Sequence, residues 1–266
     1  MTETRAERFR ALHHGGTPLL LPNPWDSDSA RMFERLGFTA LATTSSGHAL
    51  TLGRADGEVS RDELFDHVAR IVAATALPVS ADFENGFAQD AADLADVYRQ
   101  AVATGLAGAS IEDSTGDDDH PVRELAEAAD RVRAAAEAAH AADPAFVLTG
   151  RAENHLHGRT DLADTIARLQ AYQEAGADVL YAPGLSGAAD IRSVIASVDR
   201  PVNVLFGPAR LTVSELADLG VARISIGGSF AFAAFGAAAR AARAFLESGV
   251  NDAGDLARAG HEATGF

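Results

Sequence analysis

The segment Val79-Ser80-Ala81-Asp82-Phe83-Glu84-Asn85-Gly86 begins as an apolar run and ends with two carboxylates two residues apart. The run from Ala109 to Ser114 brings Glu112 to a matching end, and the run through Leu148 and Gly150 delivers Arg151 and Glu153. Residues two apart on a strand share a face, so Asp82 and Glu84 are expected on one side with Glu112 beside them. Three carboxylates in one cup repel unless a cation sits among them. Hard oxygen donors, in a chain without cysteine, suit Mg²⁺ or Mn²⁺ better than Zn²⁺. The competing role for each acid is to cap a following helix. The planar guanidinium of Arg151 can bind a carboxylate or phosphoryl group bidentately, or pair with one of the acids. Thr44-Ser45-Ser46-Gly47-His48 forms a small polar turn whose successive N–H groups can hold an anion. Asn203 and Tyr181 are candidate hydrogen-bonding groups for a substrate. His48, His120, His155 and His157 are candidate proton carriers.

Placing these residues together requires a sheet. Eight β-branched or apolar runs, at 19–25, 38–45, 78–85, 108–114, 146–154, 177–184, 201–207 and 222–229, alternate with amphipathic helical sequence. That alternation is the pattern of a parallel sheet. Gly37, Gly105, Gly176 and Gly220 stand where left-handed helix C-caps belong. Ser60 with Glu63, and Thr212 with Glu215, read as capping boxes. Segment 121–141 reads as a helix with Pro121 in its first turn and Leu125, Ala128, Val132 and Ala135 on one face. Eight such units predict a single (β/α)₈ TIM barrel domain over 1–266. A doubly wound sheet would carry a glycine-rich phosphate loop after its first strand, and here that strand ends Asn23-Pro24-Trp25-Asp26. An alanine-rich helix over 230–247 precedes a C-terminal tail, 250–266, expected to pack on a neighbouring subunit.

Composition narrows the chemistry. All 22 basic residues are arginine, so Schiff-base lysines and P-loop lysines are excluded. The absence of cysteine excludes thiolate catalysis and disulfides. A formal net charge of −16 disfavours nucleic acid and anionic lipid as partners. Hydrophobic residues make up 47%, enough for a large core, yet no apolar run is long enough to span a membrane. The N-terminal residues do not read as a secretory signal, so a cytoplasmic location is expected.

Taken in series, LLLPNPWDSDSARMFERLGFTALATTSSG, PVSADFENGF, ASIEDS, VLTGRAEN, PVNVLFGP and ISIGGSFAFAAFGAAARAA resemble the isocitrate lyase/phosphoenolpyruvate mutase superfamily almost end to end. The resemblance implies a (β/α)₈ barrel whose last helix is often exchanged between subunits of a homodimer or homotetramer. It also implies Mg²⁺ and a small 2-oxo acid or its enolate. By that resemblance Asp82 is a direct metal ligand, Glu84 stands where a second Asp is usual, and Glu112 is the glutamate of an Ile-Glu-Asp motif. Asp56 matches an acid that holds metal-bound water. Ser45, Ser46 and Gly47 match a substrate-carboxylate grip, Trp25 and Asp26 the pocket end of the first strand, and Arg151 the substrate-binding arginine.

The departures from the family pattern suggest a subgroup. Lyases that act on isocitrate and methylisocitrate carry Lys, Cys, Gly and His in the loop after the fourth strand. Here that loop is Ser114-Thr115-Gly116-Asp117-Asp118-Asp119-His120. Its three aspartates would repel a phosphonate if the loop closed over the site. The chain is most similar to the cysteine-free branch that includes oxaloacetate decarboxylase-like members. The expected function is therefore a Mg²⁺-dependent lyase that breaks a C–C bond of a small 2-oxo acid or dicarboxylate. Lewis-acid stabilisation of an enolate would drive the step, with His120, Tyr181 or a water supplying the proton. The alternatives are a C–P mutase or hydrolase acting on phosphonopyruvate, and a non-catalytic 2-oxo-acid binder.

Overall fold

The computed structural model describes residues 3–207, 211–251 and 253–265. Eight parallel strands, β1 Leu19–Leu21, β2 Leu41–Ala42, β3 Val79–Ala81, β4 Gly108–Glu112, β5 Val147–Arg151, β6 Val179–Tyr181, β7 Val202–Leu205 and β8 Arg223–Ser225, form one sheet in the order β1-β8-β7-β6-β5-β4-β3-β2. Every strand lies inside an expected run and is shorter than it. The helices are α1 Arg5–Leu12, α2 Ser27–Arg35, α3 Ser45–Thr51, α4 Arg61–Ala74, α5 Ala91–Ala103, α6 Leu125–Ala142, α7 Leu162–Glu174, α8 Ala188–Ser197, α9 Val213–Asp218, α10 Ser229–Ser248 and α11 Gly254–Thr264. This is a nearly closed (β/α)₈ barrel. No ladder joins β1 to β2; the seam is bridged by Ala42 N–H donating to the Pro22 carbonyl at 3.1 Å. The Asn23 side-chain amide adds a bond to the Thr43 carbonyl at 2.9 Å.

Local chemistry explains the boundaries. Both capping boxes form, with Ser60 accepting from Glu63 N–H and Thr212 from Glu215 N–H. Gly37, Gly105, Gly176 and Gly220 all take positive φ at helix ends. One boundary differs from expectation. The helix expected over 121–141 starts at Leu125. Val122 instead bridges Ser114, and Arg123 N–H donates to the Asp113 carbonyl at 2.8 Å. Pro121 is thus drawn into an extended pairing that answers backbone groups a helix start would leave open.

The N-terminal end of the barrel is stoppered by α1. Phe9 is fully buried against Leu19, Leu21, Val147 and Val179. Arg10 reaches the carbonyls of Pro144, Ala145 and Phe146 and pairs with Asp178 at 2.8 Å. Within the C-terminal tail, α11 packs against α2 of the same chain, where Arg35 donates to the Thr264 carbonyl. By contrast α10 is largely uncovered, exposing Phe232, Phe235, Phe245 and Leu246. Among the described residues no helix is long and apolar enough to cross a membrane.

Three buried histidines, His13, His48 and His67, are expected to make the fold less stable in acid. His13 is held down to about 3 by burial and by nearby Arg223. His67 falls to about 3 through burial and its neighbour His48, whose ring stacks on it at 3.6 Å. Burial also lowers His48. A folded-state pKa below the unfolded value of about 6.5 gives stability that is complete above 6.5 and is lost as pH falls toward the folded value. Lowering the pH from 7.5 to 5.5 is expected to cost about 1.4 kcal/mol for each of His13 and His67. Urea denaturation at both pH values measures the loss, and His67→Phe should make it smaller by about one histidine's share.

Candidate active site

The barrel's register assembles the site. Neighbouring strands place Glu112 beside Arg151, Arg151 beside Tyr181, Tyr181 beside Asn203 and Asn203 beside Arg223. Side-by-side residues in a parallel sheet point to the same face, so this row faces the interior. Such positions usually carry branched aliphatics that fill the barrel. Here Arg151, Tyr181, Asn203 and Arg223 join Ser80, Ser110, Thr149 and Ser225 in lining a cavity of about 200 Å³ that opens past Ser45, Ser46, Asp56 and Asp82, whereas Glu112 and Glu84 are not among the lining residues.

Asp82 lies just past the end of β3 and is tied on every side. Its Oδ2 accepts from Ser45 Oγ at 2.9 Å and Ser45 N–H at 3.3 Å. Its Oδ1 accepts from Arg151 Nη1 at 2.6 Å and Ser110 Oγ at 3.3 Å. Burial pushes its carboxyl upward, but Arg151 and the Ser45 bonds outweigh that and hold it below the usual carboxylate range. Arg151 also reaches Glu112 at 3.1 Å and Glu153 at 3.1 Å. Its Cζ stands 5.3 Å from the centroid of the Tyr181 ring. Burial raises both Glu112 and Glu153, with Arg151 opposing and the neighbouring carboxylates adding.

Glu84 does not continue β3. It takes φ 45° in a tight turn, its carbonyl accepts from Glu112 N–H at 3.0 Å, and Gly86 follows at φ 89°. A Cβ on Gly86 would stand 2.4 Å from Leu94, so the turn needs glycine both for its conformation and for its packing. Glu84 is pushed up to about 8, first by burial and then by the charges of Asp82 and Asp56.

The small polar turn is the start of a helix. Thr44 caps α3 by accepting from Gly47 N–H at 3.2 Å. The Gly47 amide is therefore engaged, and Gly47 is buried where a Cβ would meet Thr44, Trp25 and Ala231. Ser45 and Ser46 do line the cavity, as do Asp56, Asp82, Arg151, Tyr181 and Asn203. Trp25 packs edge-on against Phe33, and Asp26 caps α2. Neither Trp25, Asp26 nor Gly47 is among the lining residues.

The loop 114–120 is largely exposed and none of its residues, His120 included, lines the cavity. Thr115 Oγ1 pins it by donating to the His120 carbonyl at 2.6 Å. His155 bonds Thr165 at 3.0 Å, His157 is exposed, and His48, on α3, stacks on His67 of α4 and does not line the cavity.

The structure adds residues that the sequence reading passed over. Asp113 is buried and accepts from Glu153 N–H at 2.8 Å, Arg168 Nη1 at 3.0 Å and Tyr172 Oη at 2.5 Å. This network locks β4 to β5 and α7 beneath the acids. Asn23 Oδ1 accepts from Ile226 and Gly227 N–H at 2.9 Å each. Arg223 lines the deep part of the cavity. A signal for Asp113 lay in its place in the Ile-Glu-Asp motif, where only Glu112 drew a role, whereas Arg223 stood alone in its strand.

Asp56, Asp82, Glu84, Glu112 and Glu153 thus gather near Arg151, an excess of acid over base that protons or a divalent cation must balance. The donor set consists of hard oxygens, which fits Mg²⁺. Among the described residues no three acids or histidines are arranged as a ready cage, because Arg151 holds Asp82 and Glu112. Mg²⁺ commonly uses one or two carboxylates and keeps several waters, so Asp82 as anchor with the other acids acting through water satisfies its chemistry.

Comparison with known proteins identifies the family. The family model described as phosphoenolpyruvate phosphomutase matches residues 9–246. An uncharacterised Mycobacterium tuberculosis protein is 34% identical over 237 residues, covering 89% of this chain and 88% of its own. An oxaloacetate decarboxylase of Rhodopseudomonas palustris BisA53 is 31% identical, with coverage of 77% and 71%. The 2-methylisocitrate lyase of Escherichia coli K12 is 30% identical, with coverage of 73% and 67%. A crystal structure from Burkholderia cenocepacia J2315, provisionally described as a lyase/mutase, superposes with a TM-score of 0.90 at 49% identity, covering 93% of this chain and 89% of its own. The chain belongs to the phosphoenolpyruvate phosphomutase family, within the isocitrate lyase/PEP mutase superfamily of lyases and mutases.

Proposed function

We propose that the protein is a Mg²⁺-dependent carbon–carbon lyase acting on a small 2-oxo acid, with oxaloacetate decarboxylation as the reaction the site favours. The observation that carries this reading is the gathering of Asp82, Glu84, Glu112 and Asp56 near Arg151, beside a cavity that Asp56, Asp82, Arg151, Ser45 and Ser46 line. Asp82 would hold Mg²⁺ directly, with Glu84, Glu112 and Asp56 acting through its waters. When bound, the ion supplies Lewis acidity toward a ketone and its carboxylate. Relatives described as oxaloacetate decarboxylases support this choice of substrate. The exposed apolar face of α10 supports an assembly of two or four chains in which that helix is exchanged.

The chain's own groups do the rest. Ser45 Oγ and Arg151 hold Asp82 in place and ionised. Ser46 lines the cavity at the start of α3, where an N-terminal N–H suits a substrate carboxylate. Loss of CO₂ leaves the bonding pair on the substrate as an enolate, and the carbon then takes one proton, so each turnover consumes one. Tyr181 suits the donor's place better than His120. It lines the cavity, and burial drives its hydroxyl well above the ordinary value, so it stays protonated at neutral pH.

A second reading, C–P bond chemistry on phosphonopyruvate, keeps its footing because the acidic loop 114–120 turns away from the cavity and does not present Asp117–119 to a bound dianion. A Mg²⁺-supplemented screen over oxaloacetate, phosphonopyruvate, methylisocitrate and dimethylmalate separates the readings. Pyruvate formation from oxaloacetate that stops in excess chelator is expected. Phosphate release from phosphonopyruvate would favour the second reading, full activity in chelator would refute the metal's role, and tight binding without turnover would mark a non-catalytic binder.

A further inference from the structure

Arg223 is an arginine inside the barrel with no anion to answer it. It is 5% exposed. Its Nε donates to Asn203 Oδ1 at 2.9 Å and its Nη2 to Thr149 Oγ1 at 3.1 Å. Its Nη1 lies 3.4 Å from His13 Nε2. His13 Nδ1 faces the Phe9 carbonyl at 2.8 Å and so carries the ring proton, which leaves Nε2 as an acceptor. All three partners are neutral, and among the described residues no carboxylate pairs with Arg223. Burial draws its pKa down to about 10, with Arg151 adding to the effect.

Arg131 also lacks a carboxylate but spends its donors on the carbonyls of Asn85, Ala88 and Gln89, and the other guanidiniums in the interior are paired with acids. Arg151 is saturated by Asp82, Glu112 and Glu153, and Arg168 by Asp113 and Asp164. An unpaired buried charge is costly. A guanidinium has five N–H donors, so two remain open on Arg223 after its three contacts. The groups around it are poised as donors as well. Ser225 Oγ accepts from Asn203 Nδ2 at 2.9 Å, its hydroxyl proton can turn either to the Tyr181 oxygen or to a bound anion, and both residues line the cavity.

We infer that Arg223, with Ser225, forms a second anion subsite at the deep end of the cavity, and that it selects substrates bearing a second carboxylate. This rests on the 2-oxo-acid reading above and narrows it to a class: a short diacid with its keto-acid end at the mouth beside Asp82 and its distal carboxylate on Arg223. The row from Arg151 through Tyr181 and Asn203 to Arg223 lines the same chamber as Asp82. Strand tilt of about 36° carries that row down the barrel, in agreement with Arg223 touching His13 of the stopper helix.

Calorimetry in Mg²⁺ with matched probes tests this. 2-Oxoglutarate and malate carry the second carboxylate; 2-oxobutyrate and lactate have a methyl group in its place. The wild-type protein is expected to prefer the diacids by about tenfold or more, on the scale of a charged hydrogen bond. Arg223→Met is expected to bring that preference within about twofold and to leave monoacid affinity within about twofold of wild type. Its melting temperature should equal or exceed the wild-type value, because replacing an unpaired buried charge with a similar apolar volume removes a desolvation cost; Arg223→Gln serves if the Met variant does not fold. Equal loss of both probe classes, or a preference unchanged by the substitution, overturns the subsite. So does a wild-type protein that binds both classes equally. If the wild-type protein binds no probe in Mg²⁺, the 2-oxo-acid reading falls first and the subsite falls with it.

Discussion

Asp82→Ala is expected to abolish Mg²⁺-dependent turnover while leaving the barrel folded. The residue lies beyond the last bonded position of β3, so the sheet loses no ladder contact. What disappears is the one carboxylate of the cluster that its surroundings keep ionised, through Ser45 and Arg151. The remaining acids are pushed toward protonation by burial and by one another, so none of them replaces it as an anchor. A lost Lewis-acid contribution of about 4 kcal/mol or more corresponds to a rate loss of about 10³-fold. Steady-state assays give the rate, Mg²⁺ calorimetry gives the binding, and circular dichroism shows whether the fold persists. Retained Mg²⁺ binding with lost turnover would move Asp82 from metal anchor to substrate contact.

Arg151→Gln is expected to damage stability as well as activity. The guanidinium is the shared partner of Asp82, Glu112 and Glu153, all with little exposed side chain. Removing one member of a buried ion pair typically costs about 3–5 kcal/mol, because the other charge is left uncompensated. Here part of that cost is offset by proton uptake. Glu112 and Glu153 already have folded pKa values above the unfolded range. Their contribution is therefore present at low pH and is lost as pH rises through the folded values. The variant should lose more stability at pH 8 than at pH 6. Added Mg²⁺ should restore part of the loss, because a cation can replace the missing charge. Urea midpoints at the two pH values, with and without Mg²⁺, measure this. A variant as stable as wild type at pH 8 would show that Arg151 is no counter-ion for the acids.

Some of this architecture was legible in the residues because the physics involved is local. The capping boxes at Ser60 and Thr212 and the glycines at helix ends depend on neighbours a few positions away, and they form as read. Strand positions followed from apolar runs. Segment 121–141 misled because Pro121 suits a helix start, yet the chain used Val122 and Arg123 to answer the backbone of Asp113 and Ser114 just past β4. The small polar turn at 45–47 became a helix once Thr44 found Gly47 N–H as a partner. Arg223 stayed out of view for another reason. Its significance depends on which strands lie beside it, and a single strand does not reveal that Arg223 shares a row with Asn203, Tyr181 and Arg151. Asp113 was visible as part of a motif, but its ties to Arg168 and Tyr172 run between distant segments.

The stopper formed by Phe9 and the Arg10 clasp has a consequence for traffic. With the far end of the tube shut by α1, reactant and product must share one doorway, beside Ser45 and Asp56. A departing molecule that lingers there bars the next arrival, so turnover is tied to how quickly that threshold clears.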